Sequence, residues 1–159
     1  MARVYLETSF ISACVTDRTD TASLYQRQVS CEWWDTQRSA HDLFVSAEVI
    51  IELSGPDFHG RDEALQKIAG IPRLAIGDEV RGLAGLLVQE KVMPAPVAGD
   101  AVHVAVATVH GMDYVLSWNV RHLANPNKIE HLQRICRRVG LMPPSIVTPD
   151  MLWGSEDES

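Results

Sequence analysis

Cysteine is scarce in this chain, and the three residues present, Cys14, Cys31 and Cys136, are odd in number and far apart. They build neither a disulfide framework nor a CxxC metal knuckle, so reduced structural thiols are expected. Long apolar runs are also missing: Phe44-Val45 and Val49-Ile50-Ile51 are broken by charge well short of the roughly 18 residues a membrane span needs. The first residues lead directly into a strand-like Val4-Tyr5-Leu6 with no basic n-region, long apolar h-region or cleavage site. A cytoplasmic protein without membrane association is the expectation. No GxGxxG or GxxxxGK[ST] loop follows the first strand, which argues against a nucleotide- or flavin-binding Rossmann protein. Aromatic residues make up 6% of the chain, too few for an extended base-stacking surface. Trp33 falls on the apolar stripe of a helix and is assigned to the core, Trp34 is one step round and faces a partner surface, and Trp118 remains free to stack on a base. Basic residues are outnumbered, 14 Lys and Arg against 21 Asp and Glu, for a net charge of -7.

A polyanion is bound by Lys and Arg, so the total charge disfavours one. The distribution is uneven, however. Between Asn119 and Gly140 there are five basic residues (Arg121, Lys128, Arg134, Arg137, Arg138) against one acid, Glu130, while the terminal Glu156-Asp157-Glu158 carries three acids. A basic surface can sit on an acidic protein, although a solvated helix face explains the same pattern.

With 159 residues, 46% of them hydrophobic, the chain can bury one substantial core. A single domain over 1–150 and a short acidic tail over 151–159 are expected. Apolar segments of strand length alternate with helical ones, the pattern of a parallel α/β sheet. Strands are placed near 2–6, 42–45, 73–76, 114–118 and 145–147. A helix over about 20–38 has Thr19 or Asp20 as N-cap, with Ala22, Tyr25, Val29 and Trp33 on one face. A second runs from Ser46 to before Gly55-Pro56, a third covers 61–70, and a fourth starts at Asp78. The helix over 99–110 is apolar on nearly every side and belongs in the middle of the fold. The last carries Ile129, Leu132, Ile135 and Val139.

Four polar residues sit where apolar runs end or turn: Glu7, Glu52, Asp100 and Asn119. Acids at the edges of buried segments must meet a cation or stay in water, and a divalent metal meets that need. In open parallel sheets the functional crevice lies beyond the carboxyl ends of the strands, where Glu7 and Asn119 fall. Asp100 opens the buried helix, and Glu52 approaches from the helix after the second strand. Mg²⁺ or Mn²⁺ takes such oxygen ligands and leaves positions for phosphate oxygens, as phosphodiester hydrolysis requires.

The segments Val4-Tyr5-Leu6-Glu7-Thr8-Ser9, Ser46 to Leu53, Asp100 to Ala107, Tyr114 to Asn125 and Pro144 to Pro149 resemble, in order, the motifs of PIN-domain proteins, especially VapC-like toxin ribonucleases. The resemblance spans nearly the whole chain. It implies a Rossmann-like three-layer α/β/α sandwich around a parallel sheet and a Mg²⁺- or Mn²⁺-dependent endoribonuclease making 3′-hydroxyl and 5′-phosphate ends. It also implies a homodimer and a small antitoxin partner that inserts a basic side chain toward the acids. By motif, Glu7, Glu52, Asp100 and Asn119 are the catalytic set, with Glu7, Asp100 and Asn119 on the metal and Glu52 completing the pocket. Glu7 stands where many members have Asp, and Asn119 where many have an acid. A catalytically weakened PIN-like domain that binds RNA or a protein is therefore the alternative.

Other readings stay open at single residues. Glu7 can cap a short following helix with Thr8 and Ser9. Glu48 shares a helical face with Glu52 but suits the helix dipole. His103, three residues after Asp100, is either a ligand or a hydrogen-bonded core histidine. Ser9, Arg121 and His122 are the candidates for contact with substrate, against an N-cap and a solvated loop.

Overall fold

Tyr5 and Leu6, both fully buried, lie in the middle of the sheet, and the rest of the architecture is arranged around their strand. The computed structural model describes residues 1–154, so the acidic run Glu156-Asp157-Glu158 lies outside the described residues. Strands β1 (Ala2–Leu6), β2 (His41–Ser46), β3 (Arg73–Leu74), β4 (Tyr114–Leu116) and β5 (Ser145–Val147) form one parallel sheet in the order β3-β2-β1-β4-β5. The chain winds outward from β1 to one edge and then crosses to β4 and β5 on the other side. The switch in direction lies between β1 and β4, where open α/β sheets leave a crevice at the carboxyl ends.

Helices α1 (Thr8–Val15), α2 (Thr21–Thr36), α3 (Ala47–Leu53) and α4 (Arg61–Ile68) form one packed group, and α5 (Asp78–Gln89) packs on α6 (Asp100–Val109). Short α7 (Val120–Leu123) and α8 (Pro126–Arg138) join β4 to β5. No helix among the described residues is long and apolar enough to cross a membrane. As the sequence predicts, α6 is buried continuously from Ala101 to Thr108, and Asp20 caps α2 by accepting from the Ser23 backbone N–H at 3.2 Å. Beyond the last strand, Trp33 Nε1 donates to the Leu152 carbonyl at 2.7 Å and Gly154 N–H to Gln37 Oε1 at 3.0 Å, which fastens the chain to α2.

Several expectations need correction. The short helix after Glu7, whose extent the sequence pattern leaves unplaced, is α1, Thr8–Val15, with Glu7 at its N-cap. Trp34 is not a surface residue. It is 6% exposed, lies 6.5 Å from the Phe10 ring, and is covered by Arg38 and Lys67 at 4.8 and 4.7 Å from its centroid. The stripe assigned to α8 narrows to Leu132, Ile135 and Cys136, leaving Ile129 and Val139 exposed. The cysteines are free thiols, as expected.

Candidate metal centre

Two backbone hydrogen bonds continue the sheet past its strands: Glu7 N–H donates to the Leu116 carbonyl at 3.1 Å, and Ser117 N–H to Val147 at 2.9 Å. Residues 7 and 117 therefore stand side by side at the switch point. Glu7 is 2% exposed, and a carboxyl group so placed needs donors. Its Oε1 accepts from Ser9 Oγ at 2.5 Å and Ser117 Oγ at 2.6 Å, and its Oε2 from Ser9 N–H at 3.0 Å, which also caps α1. The serines are held in turn. Trp118 N–H donates to Ser9 Oγ at 2.8 Å, and Asn119 N–H to Ser117 Oγ at 2.9 Å.

The second half of the site is a relay across the sheet. His103, with no exposed surface, meets the Tyr5 hydroxyl through Nδ1 at 2.6 Å and Glu52 Oε1 through Nε2. Tyr5 in turn meets Ser46 Oγ at 2.8 Å, and Thr8 Oγ1 donates to the same Glu52 oxygen at 2.6 Å. Burial opposes a charge on His103, but the Glu52 bond, with Glu7, Glu52 and Glu48 charges nearby, raises its pKa above the ordinary value. Burial acts against the charge on Glu52 too, and is outweighed by His103 and then Thr8, so that its pKa is lowered. Deep burial pushes the Tyr5 phenol well upward, keeping it protonated as a hydrogen-bond donor.

Glu7, Glu52 and His103 each offer a ligand atom, all within 4.8 Å of one another, and His103 Nε2 is 4.0 Å from Glu7 Oε2. Neighbouring ligands of an ion with bonds of about 2.1 Å lie roughly 3 Å apart, so small side-chain shifts would close the set around a cation. Two carboxylates and an imidazole suit Mn²⁺ and related ions, and the carboxylates alone suit Mg²⁺. The donor set therefore fits a divalent metal.

Of the residues singled out from sequence, Glu7 and Glu52 are brought together. Asp100 and Asn119 are not in this three-residue group among the described residues. Asp100 opens α6 one turn before His103, and the preceding Gly99 comes within reach of Glu52, whose Oε2 would lie 3.9 Å from a Cβ there. Asn119 stands at the N-cap position of α7, without a side-chain capping bond, and lines, with Ser9, a cavity of about 400 Å³. Arg121 and His122 are exposed at the end of α7. Ser9 is not itself the cap: its N–H and its hydroxyl both donate to the carboxyl group of Glu7, which caps α1. Glu48 sits in the first turn of α3, and its Oε1 accepts from Gly99 N–H at 3.0 Å. His103 is the hydrogen-bonded core histidine and also presents Nε2 to the acids. Ser117, Tyr5 and Thr8 were not singled out, and only Ser117 carried a signal, as a polar residue ending an apolar strand.

No protein-family model and no curated protein matches the sequence significantly. Solved structures do. VapBC2 from Rickettsia felis, crystallised bound to a DNA fragment from its promoter, matches with a TM-score of 0.57 over 96% of this chain and 99% of that one, at 10% identity. FitAcB from Neisseria gonorrhoeae matches at 0.56 over 94% and 99%, at 16% identity. At such identities the likeness is one of fold. The Rossmann-like α/β/α sandwich around a parallel sheet expected from sequence is the fold of this chain, and it is shared with these two solved structures.

Proposed function

We propose that this chain is a metal-dependent endoribonuclease, the toxin of a type II toxin–antitoxin pair. The observation that carries the reading is Glu7: a buried carboxyl group held by two serine hydroxyls at the switch point of a PIN-like sheet, with Glu52 and His103 within 4.8 Å. Its motifs resemble those of VapC-like ribonucleases, and its fold is shared with VapBC2 and FitAcB.

In this reading Glu7, Asp100 and Asn119 would hold Mg²⁺ or Mn²⁺, with Glu52 and His103, whose ligand atoms lie within 4.8 Å of that of Glu7, completing the pocket. The ion, when bound, supplies positive charge for the phosphate oxygens and makes a water acidic enough to attack phosphorus. The chain's own residues do the positioning. Ser9 and Ser117 fix the Glu7 oxygens, which removes the cost of reorienting them as charge develops. His103 and Glu52 hold a proton between Nε2 and Oε1. Exposed Arg121 and His122 lie beyond Asn119, where they can meet a phosphate of the RNA strand. A small antitoxin protein would silence the site by placing a basic side chain against the acids. The toxin would act as a homodimer.

Two features favour a catalytically weakened, binding-only domain: Glu52 is already engaged by His103 and Thr8, and Asn119 carries no charge. The two readings separate in one assay. Purified wild type, Glu7→Gln and Asp100→Asn are incubated with RNA in Mn²⁺ and in EDTA. Wild type in Mn²⁺ is expected to yield 5′-phosphate ends, with each variant slower by at least about 100-fold. RNA retained but uncut would support the weakened domain, and equal cleavage in every tube would sink the assignment.

A further inference from the structure

We infer that the cavity adjoining the acidic cluster is a nucleobase pocket, which takes one unpaired base of single-stranded RNA beside Trp118. This rests on the nuclease reading above. The cavity, of about 400 Å³, is lined by Ser9, which clamps Glu7, and by Asn119, whose N–H is tied to Ser117, so one layer of side chains separates it from the cluster. That volume falls within the roughly 300–1,000 Å³ typical of small-ligand sites. A strand whose phosphate met a cation held at the acidic cluster would have the adjoining base beside this opening.

The lining chooses the ligand. Trp118 is half-buried and fixed along its edge: Nε1 donates to Ser30 Oγ at 2.8 Å, and Tyr25 packs against it edge-on with centroids 6.1 Å apart. An indole held in place is a stacking partner that loses little freedom when a base arrives. Phe58 adds a second aromatic group, and Gln26, Ser12 and Ser23 supply an amide and hydroxyls able to pair with the edge of a base. Charge does not favour a phosphate inside. Asp17 lies against His59 at 2.7 Å and Arg18 against Asp20 at 3.4 Å, so the one guanidinium lining the wall already has an acid beside it. Aromatic faces with neutral hydrogen-bonding groups suit a base more than a charged peptide. A base within the pocket cannot be paired, so the substrate is single-stranded.

The test measures binding in EDTA, so that no strand is cut, by fluorescence anisotropy of a labelled oligouridylate and of a ribose-phosphate strand of equal length lacking bases. Wild type is expected to prefer the strand with bases by about tenfold or more, as stacking on one aromatic side chain allows. Trp118→Ala should lose most of that preference, Trp118→Phe should keep it, and circular dichroism checks that both are folded. If Trp118→Ala does not fold, the wild-type comparison still decides: equal affinity for the two strands overturns the pocket. Cleavage of RNA by a wild type with no base preference would overturn the pocket alone and leave the cavity to a peptide. Base- and Trp118-dependent binding without cleavage in Mn²⁺ would remove the nuclease reading and leave the pocket standing.

Discussion

The Ser117 hydroxyl donates to Oε1 of Glu7 across 2.6 Å, joining residues 110 positions apart in the chain at the one place where β1 and β4 end side by side. The bond is short, buried and shared with Ser9, so Ser117→Ala leaves the carboxyl group with one hydroxyl donor fewer where water cannot replace it. A hydrogen bond to a charged group contributes about 1.5–3 kcal/mol, and Ser117→Ala should lower stability by about that amount in urea denaturation. Ser9→Ala removes the companion donor, and the double variant should show coupling, because both hydroxyls serve the same oxygen. Additive losses would mean that the serines act separately on the fold and not jointly on Glu7.

The His103–Glu52 pair makes stability depend on pH from two directions. His103 has a folded pKa raised above its ordinary 6.5, so its contribution is complete below that value and is lost as pH rises through the raised one. Glu52 has a folded pKa lowered below its ordinary 4.5, so its contribution is present above that value and is lost as pH falls through the lowered one. Metal-free protein should therefore draw most from the pair between pH 4.5 and 6.5, and less on either side. Glu52→Gln removes the acid limb and the strongest support of the His103 limb, leaving only the charges of Glu7 and Glu48 to favour the imidazolium. Because the Glu52 side chain is 35% exposed, the loss near pH 5.5 should be only about 1 kcal/mol. Thermal unfolding in EDTA across pH would read this, and parallel profiles for wild type and Glu52→Gln would show that the pair contributes nothing.

How much of this was legible follows from where each signal lies. Glu7, Asp100 and Asn119 were visible because an acid or amide at the end of a buried run breaks a hydrophobic pattern. That Glu7 and Asn119 fall at one edge of the sheet followed from the parallel-sheet reading, since carboxyl ends share one edge, whereas the grouping of Glu7 with Glu52 and His103 needed the fold itself. His103 was ambiguous because it lies inside a helix buried all round, and only the position of Tyr5, 98 residues away, shows which groups its two nitrogens meet. Helix α1 was legible only through the possible Glu7 cap, because its 8 residues are too few to show a clear helical stripe. Trp34 was misplaced for a tertiary reason: α4 and Arg38 cover a flank of α2 that its own periodicity leaves outside.

Metal binding offers a way to rank the donors. An ion that binds only the folded chain stabilises it by about 2.7 kcal/mol at one hundred times its dissociation constant. Mn²⁺ should therefore raise the melting temperature of the wild type. Glu7→Gln should abolish the rise, Asp100→Asn and Glu52→Gln should reduce it, and Asn119→Ala, which removes no charge, should reduce it least. A full Mn²⁺ response in Glu7→Gln would place the ion elsewhere.

Gly99 introduces the helix that carries Asp100 and His103, and its backbone has φ 55 and ψ −121, a conformation open to glycine and strained for other residues. Space is not the constraint. A methyl group at this position would meet Glu52 Oε2 at 3.9 Å, an ordinary contact. The cost of Gly99→Ala is therefore backbone strain of about 1–3 kcal/mol, unless the turn relaxes. Relaxation would disturb the bond from Gly99 N–H to Glu48 and shift Asp100 relative to Glu52, so Mn²⁺ affinity should fall along with stability. Gly82 is the matched control: it lies in the middle of α5 with nothing within 4 Å of its Cβ position. Gly82→Ala should raise stability by roughly 0.5–1 kcal/mol and leave Mn²⁺ binding unchanged. Denaturation and Mn²⁺ titration of both variants would test this, and a Gly99→Ala protein as stable and as metal-responsive as wild type would show that the turn does not position the site.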